Sequence, residues 1–107
     1  MAALPGLNDR SWDTTVLAAR EPVAVLFWAD WCLPSRTAVE TIEVLSSAGQ
    51  VPMRLGAINV DENPLTTERY GVQGLPTLIV FRNAEPAERR VGLMSRSDLL
   101  RLLQRHR

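Results

Sequence analysis

Cysteine occurs once in this 107-residue chain and lysine not at all; every basic residue apart from the single His106 is arginine. A lone cysteine excludes an internal disulfide and any all-cysteine metal site. The missing lysines remove one kind of catalytic base and the Schiff-base route. Charge of one sign is not in surplus either: twelve arginines balance twelve acidic residues. No nucleic-acid or anionic-membrane partner is therefore expected. No apolar run approaches the ~20 residues of a membrane span, and no stretch has the layout of a secretion signal. Gly-rich phosphate loops and clustered metal ligands are absent, so neither a cofactor nor a metal is expected. His106, in the charged stretch Arg101–Arg107, reads as neither ligand nor base. Without linkers or repeats, the chain reads as one domain over residues 1–107, with one core, expected to be a cytoplasmic monomer.

What remains is strongly patterned. Pro5 and Gly6 restrict any strand in Ala2–Asn8 to an edge. Capping residues at Asn8 and Asp9, followed by Trp12, Val16 and Leu17, predict a short helix to about Ala19. Val23–Trp28 is an apolar run of strand length. Pro34 to Ser47 carries Val39, Ile42 and Leu45 at near-helical spacing. A second buried strand is predicted over Met53–Val60, and a short helix opens at Asp61-Glu62-Asn63-Pro64 and closes at Tyr70-Gly71. Thr77–Phe81 is the clearest strand. A turn at Asn83–Pro86 returns the chain as an antiparallel strand over Arg89–Val91. Ser95 then starts a last helix bearing Leu99, Leu100, Leu102 and Leu103. This alternation closed by a hairpin implies an α/β protein with a mixed sheet and helices on both faces.

The single cysteine falls within Trp31-Cys32-Leu33-Pro34-Ser35, directly after the Val23–Trp28 strand. Proline just beyond Cys32 suits the first turn of a helix. Unpaired amide N–H groups and the helix dipole favour an anion at that point. A thiol there is biased toward thiolate, the nucleophilic form. Two readings of Ser35 stand side by side, donor of a hydrogen bond to the thiolate or a first-turn serine satisfying backbone groups, and a third is an engineered serine in place of a cysteine.

The segments Phe27-Trp28-Ala29-Asp30-Trp31-Cys32 with Pro34, Asn59–Pro64, Tyr70–Thr77 and Val91-Gly92 together resemble the thioredoxin family, in its usual order and spacing. The resemblance implies a thioredoxin fold, a central mixed sheet of four to five strands flanked by four helices. It also implies a cis bond before Pro76, facing Cys32. Trp31, Leu33, Pro34, Leu75, Pro76, Gly92 and Leu93 would form an apolar, peptide-binding surface, and Cys32 and Ser35 would be the catalytic pair of positions. The departures are consistent with one another. Ser35 stands where the family has a second cysteine, Leu33 where it usually has glycine, Leu26 where it has a buried carboxylate, and Ala57 where it commonly has lysine. Glu40 replaces a helix-kinking proline, so a straighter helix is expected.

Three functions compete at this point. In the first, Cys32 forms mixed disulfides with protein thiols and disulfides, and an external thiol such as glutathione resolves them. In the second, the chain is a redox-inactive binding module that keeps the groove around Trp31 and Pro76. In the third, Cys32 senses peroxide through a sulfenic acid. The first is the preferred expectation, with no full dithiol reductase activity.

Overall fold

A computed structural model describes residues 4–107. Five strands form one sheet: β1 (Gly6–Leu7), β2 (Val23–Trp28), β3 (Arg54–Asn59), β4 (Thr77–Arg82) and β5 (Glu85–Val91), in the order β1-β3-β2-β4-β5. β3 runs parallel to β1 and β2, whereas β4 is antiparallel to both β2 and β5. Three α-helices, α1 (Leu33–Ser47), α2 (Pro64–Arg69) and α3 (Arg96–Gln104), and a π-helical turn at Asp13–Leu17 complete the α/β fold.

Alternation along the central strands divides the core in two. Ala24, Leu26, Leu78 and Val80 face Ala38, Ile42 and Leu45 of α1 and Leu99, Leu102 and Leu103 of α3. Val23, Val25, Phe27, Ile58, Ile79 and Phe81 face Trp12 and Val16, with Tyr70, Val72 and Leu75 packed alongside. Burial on both faces explains why β2 reads as an unbroken apolar run rather than an alternating one.

Two predicted elements differ in extent. The first helix shrinks to the π-turn, closed by the Ala18 N–H donating to the Asp13 carbonyl at 2.9 Å. Its expected cap, Asp9, serves another helix: the Asp9 carboxylate accepts from the amides of Leu65 at 3.1 Å and Thr66 at 2.8 Å, in the first turn of α2. β5 begins at Glu85 rather than Arg89, because the hairpin turn holds only Asn83 and Ala84, with φ of 54° and 69°. Positive φ at both central positions matches the twist of the flanking strands. Pro86 is tolerated on this edge strand, where a register shift between Val80 and Phe81 leaves Ala87 unpaired.

His106 is not a free tail residue. Its ring contacts Glu88 at 2.6 Å, beside Arg105 at 2.6 Å from the same carboxylate, which pins the end of α3 to β5. The His106 hydrogen bond, together with the bond and charge of Arg105, holds the Glu88 carboxyl below its ordinary value of 4.5 against the opposing effect of burial. For Asp9, burial works to raise the pKa, but hydrogen bonds from the Thr66 hydroxyl and the amides of Thr66 and Leu65 lower it below 3.8. A depressed folded pKa means stability that is fully present above the unfolded value and is lost as pH falls through the folded one. Urea midpoints should therefore hold steady from neutral pH to about 5 and drop toward pH 3. The Asp9→Asn, Glu88→Gln double variant should be less stable at neutral pH and show a flatter acid limb.

Candidate active site

β2 delivers Trp28 to the carboxyl end of the central strand, and the loop Ala29-Asp30-Trp31 turns the chain into α1. The turn is fixed at its base: the Cys32 N–H donates to the Ala29 carbonyl at 3.1 Å, and the Arg36 N–H donates to the Cys32 carbonyl at 3.1 Å. Cys32 is the N-cap of α1, with extended backbone (φ −102°, ψ 101°) and Pro34 in the first turn. The helix dipole thus points its positive end at the residue carrying the thiol. The thiol is partly exposed and donates a long hydrogen bond, 3.9 Å, to the carbonyl of Leu75. The Leu75–Pro76 peptide bond is cis.

Trp31, Cys32 and Leu75 line one cleft of about 240 Å³, together with Val60, Val72 and Gln73. Sequence reasoning did not single out the last three. They come from the loop after β3 and the loop between α2 and β4, which meet at Cys32 because the sheet order sets both β3 and β4 beside β2. Trp31 is held at this rim by its indole N–H, which donates to Asp61 at 2.8 Å. The remaining predicted residues separate. Leu33 and Pro34 lie exposed on the first turn of α1, and Leu93 is exposed beyond β5. Pro76 is buried; with Gly92, Leu26 and Ile42 it lines a separate apolar void of about 20 Å³ under the surface. The Gly92 N–H donates to the Pro76 carbonyl at 2.8 Å, and its φ of +99° is a conformation suited to glycine.

Ser35 is fully buried and turned toward the backbone. Its hydroxyl oxygen accepts from the Ala29 N–H at 3.1 Å and lies 3.1 Å from the Ala29 carbonyl and 2.8 Å from the Cys32 carbonyl. The hydroxyl has one proton, and backbone carbonyls are there to take it. Of the readings of Ser35, the geometry matches the one in which it satisfies the loop's backbone groups.

Leu26 and Ala57 are direct register partners on β2 and β3, both buried and both apolar. No group of three or more metal-binding side chains occurs among the described residues. None of their helices is long and apolar enough to cross a membrane.

Sequence comparisons agree with this architecture. The Thioredoxin family model matches residues 4–105. The chain is 38% identical to a thioredoxin from Rhodospirillum rubrum, over 87% of this chain and 89% of that one. It is 35% identical to a thioredoxin from Rickettsia prowazekii, covering 88% and 90%. Against a thioredoxin from Synechocystis the identity is 32%, over 99% of both chains.

Proposed function

The chain belongs to the thioredoxin family, and on that footing we propose that it is a disulfide-exchange protein working with one thiol. The carrying observation is the position of Cys32: N-cap of α1, partly exposed, in a cleft with Trp31 and Leu75, and without a second cysteine anywhere in the chain. In the first step the Cys32 thiolate attacks a substrate disulfide. A bond forms between Sγ and one substrate sulfur, the substrate S–S bond breaks, and the leaving sulfur takes up a proton. An external thiolate, glutathione being the expected class, then attacks Sγ and displaces the substrate as its thiol. A second external thiol frees Cys32 and leaves with the first as a disulfide. Two external thiols are thus oxidised for each substrate disulfide reduced. Trp31 and Leu75 hold the substrate chain at the cleft, and Ser35 keeps the loop in shape. This cycle suits a reducing compartment such as the cytoplasm, where external thiols are plentiful.

A single-cysteine peptide supplied as its disulfide-linked dimer should add one peptide mass at Cys32 while the other peptide leaves as its thiol, the adduct being stable to gel filtration and removed by glutathione. The Cys32→Ala variant should add none. Failure of the folded protein to form the adduct, where unfolded chain does form it, would contradict the proposal.

The apolar Leu26–Ala57 pair and the exposed Trp31, Leu33 and Leu93 favour a second reading, a binding module without a redox cycle. Under that reading Cys32→Ala binds partners as tightly as the unaltered chain.

A further inference from the structure

The zero net charge conceals a segregation of charge along the chain. Residues 82–107 hold seven arginines and three acidic residues, a net of +4, whereas residues 1–81 hold five arginines and nine acidic residues, a net of −4. The fold gathers the basic part at one place. Arg90 and Arg105 meet at the single carboxylate of Glu88. Arg82 donates to the His106 carbonyl, and Arg101 lies one helical turn from Arg105. Arg90, Arg101 and Arg105 are each roughly half exposed or more.

Arg82 lies at the end of the sheet away from the thiol, whereas Arg90, the register partner of Leu78, lies nearer the Cys32 end, two strands across from β2. Thr77 pairs with Phe27 near the Cys32 end of the sheet, and β4 then runs five residues further to Arg82, which is roughly 17 Å at strand rise. β5 is also a terminal strand, so one side of its backbone has no strand partner. Pro86 and the unpaired Ala87 blunt the first half of that edge. Glu88–Val91 keeps an extended edge, with Arg89 on the face of Tyr70, to whose carbonyl it donates, and Arg90 on the face of α3.

We propose that the β5–α3 face is a docking surface for an extended protein segment rich in aspartate and glutamate. Such a segment pairs with the free edge of β5, and its alternating carboxylates reach Arg89 on one side and Arg90 and Arg101 on the other. Guanidinium groups bind carboxylates through two parallel hydrogen bonds, which gives the arginines geometric as well as electrostatic selectivity. A nucleic-acid occupant fits less well. Glu85, Glu88 and Asp98 interrupt the basic face, and β5 and α3 carry no aromatic side chain on which bases could stack. The docking requires no bond to Cys32.

The test titrates a capped oligo-glutamate peptide into isotope-labelled protein at low ionic strength, reading backbone amide shifts. The expected result is shifts concentrated on Glu88–Val91 and α3, with binding that weakens as salt rises. The Arg90→Gln, Arg101→Gln double variant should weaken binding by about fivefold to tenfold. The charge-matched control, Arg10→Gln with Arg20→Gln, should leave it within about twofold. Shifts elsewhere, or equal losses in the two double variants, would overturn the proposal. So would a duplex oligonucleotide binding as tightly as the peptide, or self-association that the Arg90→Gln, Arg101→Gln pair abolishes.

Discussion

Replacing Ser35 with cysteine should convert a mixed disulfide that waits for an outside thiol into one released from within the molecule. The Ser35 side chain already lies over the Cys32 backbone, with its hydroxyl 2.8 Å from the Cys32 carbonyl. Residues three apart at a helix start have Cβ atoms about 5–6 Å apart, and a disulfide needs about 4 Å. A modest adjustment brings the two sulfurs together. An oriented intramolecular group acts at an effective concentration far above the millimolar level of a free thiol. Release of a bound peptide in the variant should therefore be faster than in the unaltered chain by on the order of a hundredfold or more at millimolar glutathione. The substitution also has a cost. The Ala29 N–H donates to the Ser35 hydroxyl in a fully buried setting, and sulfur is a poor acceptor. A loss of about 1–3 kcal/mol is expected. Faster release from a less stable protein is the combined signature. Unchanged release kinetics with an intact fold would show that position 35 does not reach Cys32 productively.

The largest loss of stability should come from Trp12→Ala. Trp12 is 2% exposed and meets Phe81 edge-on at 5.2 Å and Tyr70 at 5.4 Å, with its indole N–H donating to the Tyr70 hydroxyl at 3.1 Å. Truncation removes this ring contact and leaves a cavity between the π-turn and the sheet, at a cost of about 3–5 kcal/mol. That is a large part of a total stability of about 5–15 kcal/mol. Urea unfolding should show a much lower midpoint, and Trp12→Phe should recover part of the loss. An alanine variant within about 1 kcal/mol of the unaltered chain would mean that the site collapses around the missing ring.

The strands were legible where a single pattern determined them. β2 and β4 are buried on both faces, so their apolar runs needed no knowledge of partners. α1 was bounded by Pro34 and by the turn at Gly49, and it runs uninterrupted past Glu40. The first helix is shorter than its local pattern predicts because Asp9 caps α2 across 56 residues of sequence, a use of a capping residue that no local pattern reveals. β5 is longer than the sequence predicts because its turn uses Ala84 at positive φ, where Gly is the usual signal.

The site shows the same division. Cys32 and its place at the start of a helix follow from the strand–loop–proline sequence. Trp31 and Leu75 followed from the resemblance alone. Val60, Val72 and Gln73 lie within two of the four segments that carry the resemblance, but their meeting at Cys32 follows only from the sheet order, in which β3 and β4 both lie beside β2. Ser35 was left open by its sequence, since a serine at that position can point to the thiol or to the backbone. The geometry favours the backbone: the buried Ala29 N–H donates to the Ser35 hydroxyl, which lies within reach of the Ala29 and Cys32 carbonyls.

One measurement tests the single-thiol cycle most directly. The isolated mixed disulfide between Cys32 and a peptide with one cysteine is mixed with increasing glutathione, and the rate of peptide release is followed. The cycle derived above predicts a rate proportional to glutathione thiolate, with a line passing through zero at zero glutathione. Release at an appreciable rate without any external thiol, in a chain whose only cysteine is already bonded, would contradict it.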